Sequence, residues 1–223
     1  MVRSSYAHLN FLYCTLLLSS PVAASIKASA ILPLRAAAYG TSYDVNIEIG
    51  GNTYPVVADT GSADLWLLEA GWKCYYGSAN TDGTEVPQSK CLAGNDTYTK
   101  SSTFEPINNG WMGVHYGAGN IIGDLGYEQV NVGGITIPRQ EMGFINKTNS
   151  YFDGLGVGIM GLGYPVIAMV HPENYTAVTD IGLLGDRWLY STLLTSMVKA
   201  GMEPYVSFAI ERTPLQQQLG DGM

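Results

Sequence analysis

One aspartate in this sequence stands in a setting suited to acid–base chemistry. Asp59 follows the apolar run Val56-Val57-Ala58 and precedes Thr60-Gly61-Ser62. A carboxylate at a sharp strand-to-loop turn can act as a general base, helped by a glycine that permits close backbone approach and by hydroxyl groups that fix its oxygens. Splitting an amide with water requires such a base and also an acid that polarises the carbonyl. The pattern therefore predicts one half of a two-carboxyl site, although Asp-Thr-Gly alone is also ordinary turn chemistry.

The segments on either side of Asp59 predict the strands that would position it. Tyr43 to Ile49 alternates apolar and polar residues, which is typical of a half-buried strand. Gly50-Gly51-Asn52 then predicts a turn, and Thr53 to Ala58 forms a second β-rich run that ends directly on Asp59. We expect a hairpin that delivers the carboxylate at a strand end.

The rest of the chain predicts a mostly β fold with one convincing helix. Gly71 to Gly110 has the polar composition of a loop, and Arg187 to Ala200 has helical periodicity, with Leu189, Leu193 and Met197 on one face, Asp186 as N-cap and Gly201 beyond the end. The other strands are expected at 64–68, 111–116, 127–132, 135–145 and 205–210, the last of them before a polar tail at 214–223. Hairpin-type turns are expected at Gly117-Ala118-Gly119-Asn120 and at Gly133-Gly134.

The first 24 residues have the features of a secretory signal peptide. A basic Arg3 precedes an apolar stretch from Leu9 to Leu18, followed by the small residues Val22-Ala23-Ala24. A membrane anchor is the alternative, but a spanning helix needs about twenty apolar residues. Secretion would make three Asn-X-Ser/Thr sequons candidates for glycosylation, namely those at Asn95, Asn146 and Asn174.

Cysteine usage fits the same compartment. Of the three cysteines, Cys14 lies inside the expected signal peptide, which leaves Cys74 and Cys91 as a pair. In an oxidising compartment a loop-closing disulfide explains this pair better than a metal site, which would need more ligands. We therefore expect a Cys74–Cys91 disulfide, no metal and no other cofactor.

The charge balance argues against nucleic acid as a partner. The 223 residues carry 11 lysines and arginines against 19 aspartates and glutamates, a formal net charge of -8. Binding to phosphate backbones or to anionic membrane surfaces begins with clustered basic side chains, which this sequence lacks. We therefore expect the chain to bind no nucleic acid, and to bind no membrane once the signal peptide has been removed.

From Tyr39 to Arg212 the chain resembles the N-terminal lobe of pepsin-like aspartic proteases, and in particular a fungal secreted branch of that family. Three segments in the family's order carry the resemblance: the catalytic turn Asp59-Thr60-Gly61-Ser62 followed by Asp64-Leu65-Trp66-Leu67, the flap-like Val114-His115-Tyr116-Gly117-Ala118-Gly119, and Gly158-Ile159-Met160-Gly161-Leu162-Gly163-Tyr164-Pro165. The implied domains are a signal peptide at 1–24, a short leader at 25–38, a catalytic lobe at 39–213 and the polar tail.

The resemblance also implies roles for individual residues. Asp59 would be one catalytic carboxylate, Ser62 would hydrogen-bond its outer oxygen, and Thr60 and Gly61 would support the turn. Tyr116, with Gly117 and Ala118, would cover a peptide substrate from the flap, its phenol reaching toward the Trp66 indole. Val57 and Ile159 would line an apolar pocket beside Asp59. Aromatic packing is the alternative for Tyr116 and Trp66, and core packing for Val57 and Ile159.

The sequence departs from the family pattern at three points. Ala118 stands at the flap tip where relatives often have a polar residue, which favours apolar substrates, and the leader before Tyr39 is short.

The third departure is that no other aspartate in the sequence precedes Thr-Gly or Ser-Gly. We therefore expect the second carboxylate to come from a C-terminal lobe or a second subunit, and the chain alone to be inactive. The alternatives are a secreted binding protein that uses the half-cleft without catalysis, and a homodimer that pairs two copies of Asp59.

Overall fold

The structure is a computed structural model that describes residues 28–77, 83–172, 187 and 189–210. The predicted signal peptide, Cys14, Asn174, Asp186 and the 214–223 tail lie outside the described residues. Within them, ten strands and one α-helix, α1 (Leu193–Lys199), were identified. The strands are β1 (Arg35–Ala37), β2 (Ser42–Ile49), β3 (Asn52–Asp59), β4 (Leu65–Tyr76), β5 (Thr84–Val86), β6 (Glu105–Tyr116), β7 (Gly119–Val132), β8 (Ile135–Thr148), β9 (Gly158–Gly161) and β10 (Val170–His171).

One twisted sheet accommodates all ten strands. Its order is β1-β2-β3-β9-β4-β8-β7-β6-β10, with β5 paired to β4 and a further pairing of β2 with β7. Most neighbours are antiparallel, but β3 runs parallel to β9 and β4 runs parallel to β8. The mostly β prediction is confirmed, and the sheet places β3 between its hairpin partner β2 and β9, a strand that is distant in sequence.

Two-residue glycine turns set the predicted hairpins. Gly50 and Gly51 between β2 and β3 have φ of 58° and 83°, and Gly133 and Gly134 between β7 and β8 have φ of 56° and 91°. Consecutive positive φ values match the twist of flanking strands and strain any side chain with a Cβ, so glycine is favoured at these positions. Both hairpins predicted from the sequence are confirmed.

The apolar residues of the strands form two cores. The first lies under the β2–β3 hairpin, where Val45, Ile47 and Ile49 are buried as the alternation predicted, and Leu193 and Met197 of α1 pack against it. The second surrounds Trp66, Leu68 and the two cysteines. The turn at 59–64 follows Ala58, which packs against the first core, and contains Ala63, which belongs to the second.

The expected loop at Gly71–Gly110 is wrong in part. β4 continues to Tyr76, β5 follows, and β6 already begins at Glu105. After an irregularity between Leu68 and Lys73, β4 resumes parallel pairing with β8, and Trp72 and Cys74 are buried there. Sheet pairing and the burial of these two side chains outweigh the polar composition that suggested a loop.

The helix begins at Leu193 and not at Arg187. Before it, the Gln140 side chain donates to the Ser191 carbonyl and Tyr190 bonds to Asp64, so tertiary contacts hold this segment in a non-helical path. Thr192 is extended with ψ of 162°, and Leu189 is 72% exposed and not on a buried face. The end of the helix is as predicted, with Gly201 at φ 104°.

The predicted strand at Tyr205–Ile210 is also wrong. These residues have no ladder pairing, and their apolar side chains are exposed. A strand requires a partner edge, and within the described residues no strand pairs with this segment. β propensity alone therefore does not make it part of the sheet.

Candidate functional site

Asp59 ends β3 as a half-buried carboxylate at the turn. The Gly61 amide donates to its Oδ1 at 2.8 Å, and the Ser62 hydroxyl donates to its Oδ2 at 2.6 Å. Each oxygen thus has one donor, and bonds of this kind to a charged acceptor are among the stronger protein hydrogen bonds. Thr60 and Gly61 are exposed at the tip of the turn.

Strand β9 supports this turn from the side. Asp59 lies opposite Gly161 in the parallel β3–β9 pairing, the Leu162 amide donates to the Asp59 carbonyl at 2.8 Å, and Gly163 donates to the Ser62 carbonyl at 2.7 Å. A Cβ on Gly161 would lie 2.4 Å from the Ala63 carbonyl carbon, so only glycine permits this approach. The motif 158–163 therefore acts through its backbone.

Val57 and Ile159 lie opposite each other in the same pairing and are half-buried. Val57 is two residues before Asp59, and Ile159 is two residues before Gly161, the residue paired with Asp59. The structure thus places apolar side chains close in sequence and register to the carboxylate. Their assignment as pocket residues stays a prediction.

The hairpin of β6 and β7 carries the flap-like segment. Tyr116 pairs with Gly119, which leaves Gly117 and Ala118 as an exposed two-residue connection. The Trp66 indole donates to the Tyr116 hydroxyl at 2.9 Å. Burial raises the pKa of Tyr116 well above its usual range, and hydrogen bonding to Trp66 and Ser62 offsets this only partly. The phenol is therefore neutral at every physiological pH and remains a hydrogen-bond donor.

Phe152 lies between Trp66 and Trp72, a position that was not predicted from the sequence. Its ring lies 6.1 Å from the Trp66 ring in an edge-on arrangement and 6.4 Å from Trp72. Aromatic pairs at such distances contribute beyond their buried area. A continuous aromatic row therefore connects Tyr116 of the flap to the disulfide region, and no local pattern in the sequence marks Phe152 as its middle member.

Asp64 is a second carboxylate of the turn, and its role was also missed. It is fully buried, accepts the Tyr190 hydroxyl at 2.7 Å on Oδ1, and accepts the Met169 amide at 3.0 Å on Oδ2. Burial raises the pKa of Asp64 to about 6, against the lowering effect of these two bonds. Asp64 ties the turn to two distant segments. Its only sequence signal was a charged residue beginning an apolar strand.

The cysteine prediction is confirmed. Cys74 and Cys91 form a disulfide with an S–S distance of 2.11 Å and a Cα–Cα distance of 6.0 Å. Of the sequons, Asn95 is exposed, whereas Asn146 is half-buried within the central strand β8. Glycosylation of either remains a prediction.

Among the described residues, no group of three or more His, Cys, Asp and Glu side chains is arranged to hold a metal ion. In that same part of the chain, no helix is both long and apolar enough to cross a bilayer.

A mostly β lobe that presents an aspartate on a glycine-braced turn beneath a tyrosine-bearing hairpin defines a class, that of the pepsin-like acid protease lobe. The family model of eukaryotic aspartyl proteases matches residues 42–206. The chain belongs to the eukaryotic aspartyl protease family.

Individual relatives agree with this assignment. A probable aspartic-type endopeptidase of Aspergillus fumigatus is 31% identical over 177 residues, covering 78% of this chain and 37% of the relative. Aspergillopepsin-1 of Aspergillus oryzae is 28% identical over 162 residues, covering 71% and 38% respectively. The crystal structure of an aspartic proteinase from Irpex lacteus matches with a TM-score of 0.52 at 24% identity, covering 76% of this chain and 39% of that one, which shows the fold. The chain thus spans less than two-fifths of the length of these proteins.

Proposed function

We propose that this chain is the N-terminal catalytic lobe of an aspartic-type endopeptidase and that Asp59 is one of its two catalytic carboxylates. The observation that carries the proposal is the double hydrogen bonding of Asp59 by Gly61 and Ser62 on a turn braced by β9. This arrangement orients both carboxylate oxygens toward fixed donors and leaves the side chain half-buried. Such preorganisation is what general acid–base catalysis needs.

The proposed chemistry requires a carboxyl pair that holds one proton. The ionised member takes a proton from water as its oxygen attacks the scissile carbonyl carbon, and the protonated member hydrogen-bonds and then protonates the carbonyl oxygen. When the tetrahedral intermediate collapses, the carboxyl group that gained the water proton passes it to the leaving nitrogen, the carbon–nitrogen bond breaks, and the other carboxylate takes back a proton from a hydroxyl of the intermediate. Aspartic proteases are the standard example of two neighbouring carboxyl groups that share one proton. Asp59 supplies one carboxyl group of this pair.

A C-terminal lobe or a second subunit is proposed to supply the other. Asp59 is the only aspartate of this sequence that is followed by Thr-Gly or Ser-Gly. The chain also spans 37% and 38% of its two Aspergillus relatives, so the rest of their length has no counterpart here. A lone carboxylate lacks the acid that polarises the carbonyl.

The substrate is proposed to be an extended peptide held under the flap. Tyr116 would contact it from above, while Gly117 and Ala118 leave the tip without a polar side chain. Val57 and Ile159 add apolar surface near Asp59. Together these features favour apolar residues at the cleavage site.

The disulfide supports the proposal that the protein is secreted, because such bonds persist in oxidising compartments.

The test is a set of chimaeras in which residues 39–210 replace the matching lobe of the Aspergillus fumigatus relative. The unfused chain should not cleave unfolded protein at acidic pH, whereas the chimaera should. Asp59→Asn in the chimaera should lower the rate by about 10²–10⁴-fold, the range for loss of an acid–base group. Asp96→Asn, at an exposed position, is the matched control and should leave the rate unchanged.

Three outcomes would count against the proposal. Cleavage that survives Asp59→Asn overturns the site assignment. Cleavage by the unfused monomer overturns the need for a second carboxylate. A folded chimaera that binds peptide but never cleaves it supports a non-catalytic half-cleft instead.

A further inference from the structure

Asp44 is a buried carboxyl group outside the candidate site. It lies in β2, where only 2% of the residue is exposed, opposite Arg35 of β1 and Val57 of β3. In the described part of the chain, no hydrogen-bond donor reaches either of its oxygens. An ionised carboxylate in this position would be strongly destabilising, because its charge would be buried without hydrogen bonds.

A second carboxyl group, Asp153, lies beside it and is fully supplied with donors. The Leu155 and Gly156 amides donate to its Oδ1 at 2.9 Å and 2.8 Å, and the Ser42 hydroxyl donates to its Oδ2 at 2.8 Å. Burial acts to raise the pKa of Asp153, but these hydrogen bonds outweigh it and hold the pKa below the usual value. Asp153 is therefore the ionised member of the pair.

The two carboxyl groups meet near Gly156. A Cβ on that glycine would lie 3.4 Å from Asp153 Oδ1 and 3.6 Å from Asp44 Oδ1. Two negative charges that interact in a buried site repel each other, so one group retains a proton. Burial, the Asp153 charge and the hydrogen bond to Asp153 raise the pKa of Asp44 to about 7, while Arg35 opposes the shift. Arg35 and Asp153 are the charged groups that face Asp44.

We propose that Asp44 and Asp153 share one proton and form a latch that is closed in acid and opens near neutral pH. The closed latch joins β2 to the segment 153–157, which leads directly into β9. In that segment the Val157 amide also donates to the Pro55 carbonyl of β3 at 3.0 Å. The latch therefore controls how firmly β9 is held against the strand that ends in Asp59. The latch acts on the stability of the fold and does not depend on catalysis.

The direction of the pH effect follows from proton linkage. The folded chain keeps a proton on Asp44 between its unfolded value of 3.8 and about 7, whereas the unfolded chain has lost it. Stability therefore falls as pH rises through this window, by up to tenfold in the folding equilibrium constant per pH unit, and levels off above it. Asp153 acts oppositely below pH 3.8, because the unfolded chain takes up its proton first. The pair is most stabilising near pH 4.

Asp64 titrates in the same direction and must be separated from the latch. Its pKa is raised to about 6, so its contribution is also lost as pH rises through that value. The part of the fall in stability that Asp44→Asn removes therefore reports on Asp44. Asp44→Asn is the informative variant, because the amide donates to Asp153 at every pH and imitates the protonated carboxyl group.

The experiment measures urea unfolding of the full chain at half-unit steps from pH 4.5 to 8. The wild-type folding equilibrium constant should fall between five- and tenfold from pH 6 to 7, and Asp44→Asn should remove most of this fall. Asp96→Asn, an exposed aspartate, is the matched control and should keep it. Hydrogen exchange of the Leu155 and Gly156 amides, corrected for intrinsic rates, should accelerate above pH 7 in the wild type and not in Asp44→Asn.

Retention of the wild-type fall by Asp44→Asn would overturn the latch, as would a wild-type protein that shows no fall. If Asp44→Asn fails to fold, Asp153→Asn provides the second measurement. Its amide can donate to Asp44 and stabilise the ionised form, so the fall from pH 6 to 7 should also shrink. An unchanged fall in a folded Asp153→Asn protein would likewise exclude the shared proton.

Discussion

Tyr116 and Trp66 show how two side chains 50 residues apart depend on each other. The Trp66 indole is 1% exposed, so its N–H has no access to bulk water. The Tyr116 hydroxyl accepts that N–H, and the phenol ring lies 6.3 Å from the indole ring. The tyrosine of the flap therefore satisfies a buried donor in addition to any contact that it makes with substrate.

Replacement of Tyr116 by Phe should lower the free energy of unfolding by about 1–3 kcal/mol, because it leaves a buried donor without a partner. Urea unfolding followed by tryptophan fluorescence measures this loss. Tyr76→Phe, at a side chain that is 68% exposed, is the matched control and should change stability by less than about 0.5 kcal/mol. Equal stabilities of the two variants would mean that water or another acceptor satisfies the indole.

Among the elements, β9 depends on glycine to lie against the turn that follows Asp59. A Cβ on Gly158 would lie 2.1 Å from the Trp66 carbonyl oxygen, and one on Gly161 would lie 2.5 Å from the Asp64 amide nitrogen. Neither position has a positive φ, so the requirement comes from close packing and not from backbone conformation. A four-residue strand thus fits between β3 and β4 only because two of its residues have no side chain.

Gly161→Ala should therefore destabilise the fold by about 2–5 kcal/mol, since backbone atoms cannot move aside as a flexible side chain can. Gly117→Ala makes the same chemical change where nothing lies within 4 Å of the new Cβ, and it should be nearly neutral. Thermal unfolding of both variants tests the difference. A Gly161→Ala protein with wild-type stability would show that β9 is more loosely packed than described.

The success of sequence reasoning differed among elements for physical reasons. The two glycine hairpins and the alternating strand β2 were predicted because their signals are local. The start of α1 was missed because contacts of Ser191 and Tyr190 with distant side chains decide it. Around the turn, the motif led directly to Asp59 and Ser62, whereas Asp64, Phe152 and the Asp44–Asp153 pair become visible only once the sheet brings remote segments together.

At the scale of the whole molecule, the described residues include an apolar segment with exposed side chains, 205–210. Tyr205, Val206, Phe208 and Ile210 have exposed fractions of 70%, 43%, 40% and 53%. They border a cavity of about 1270 Å³ whose wall also includes Ala58 and Met160 beside the candidate site. Contiguous exposed apolar surface of this kind favours association.

We expect the isolated chain to associate in a concentration-dependent manner, as measured by light scattering coupled to size-exclusion chromatography. Replacing Val206 and Phe208 together with Ser should shift the population toward monomer. Replacing Leu92 and Tyr151 with Ser removes two side chains that are 54% and 58% exposed elsewhere on the surface, and association should persist. If both double variants behave alike, the 205–210 segment is not the cause.

The parallel pairing of β3 with β9 also has a consequence for how the protein is made. Asp59 is synthesised roughly 100 residues before Gly161, its partner in the sheet. At about 5–20 residues per second, the ribosome takes on the order of 5–20 s to reach the second strand. During that interval the segment that carries Asp59 lacks the backbone contacts that Gly161, Leu162 and Gly163 make with it. The bracing of the turn by β9 can therefore form only late, after β2 to β8 have been synthesised.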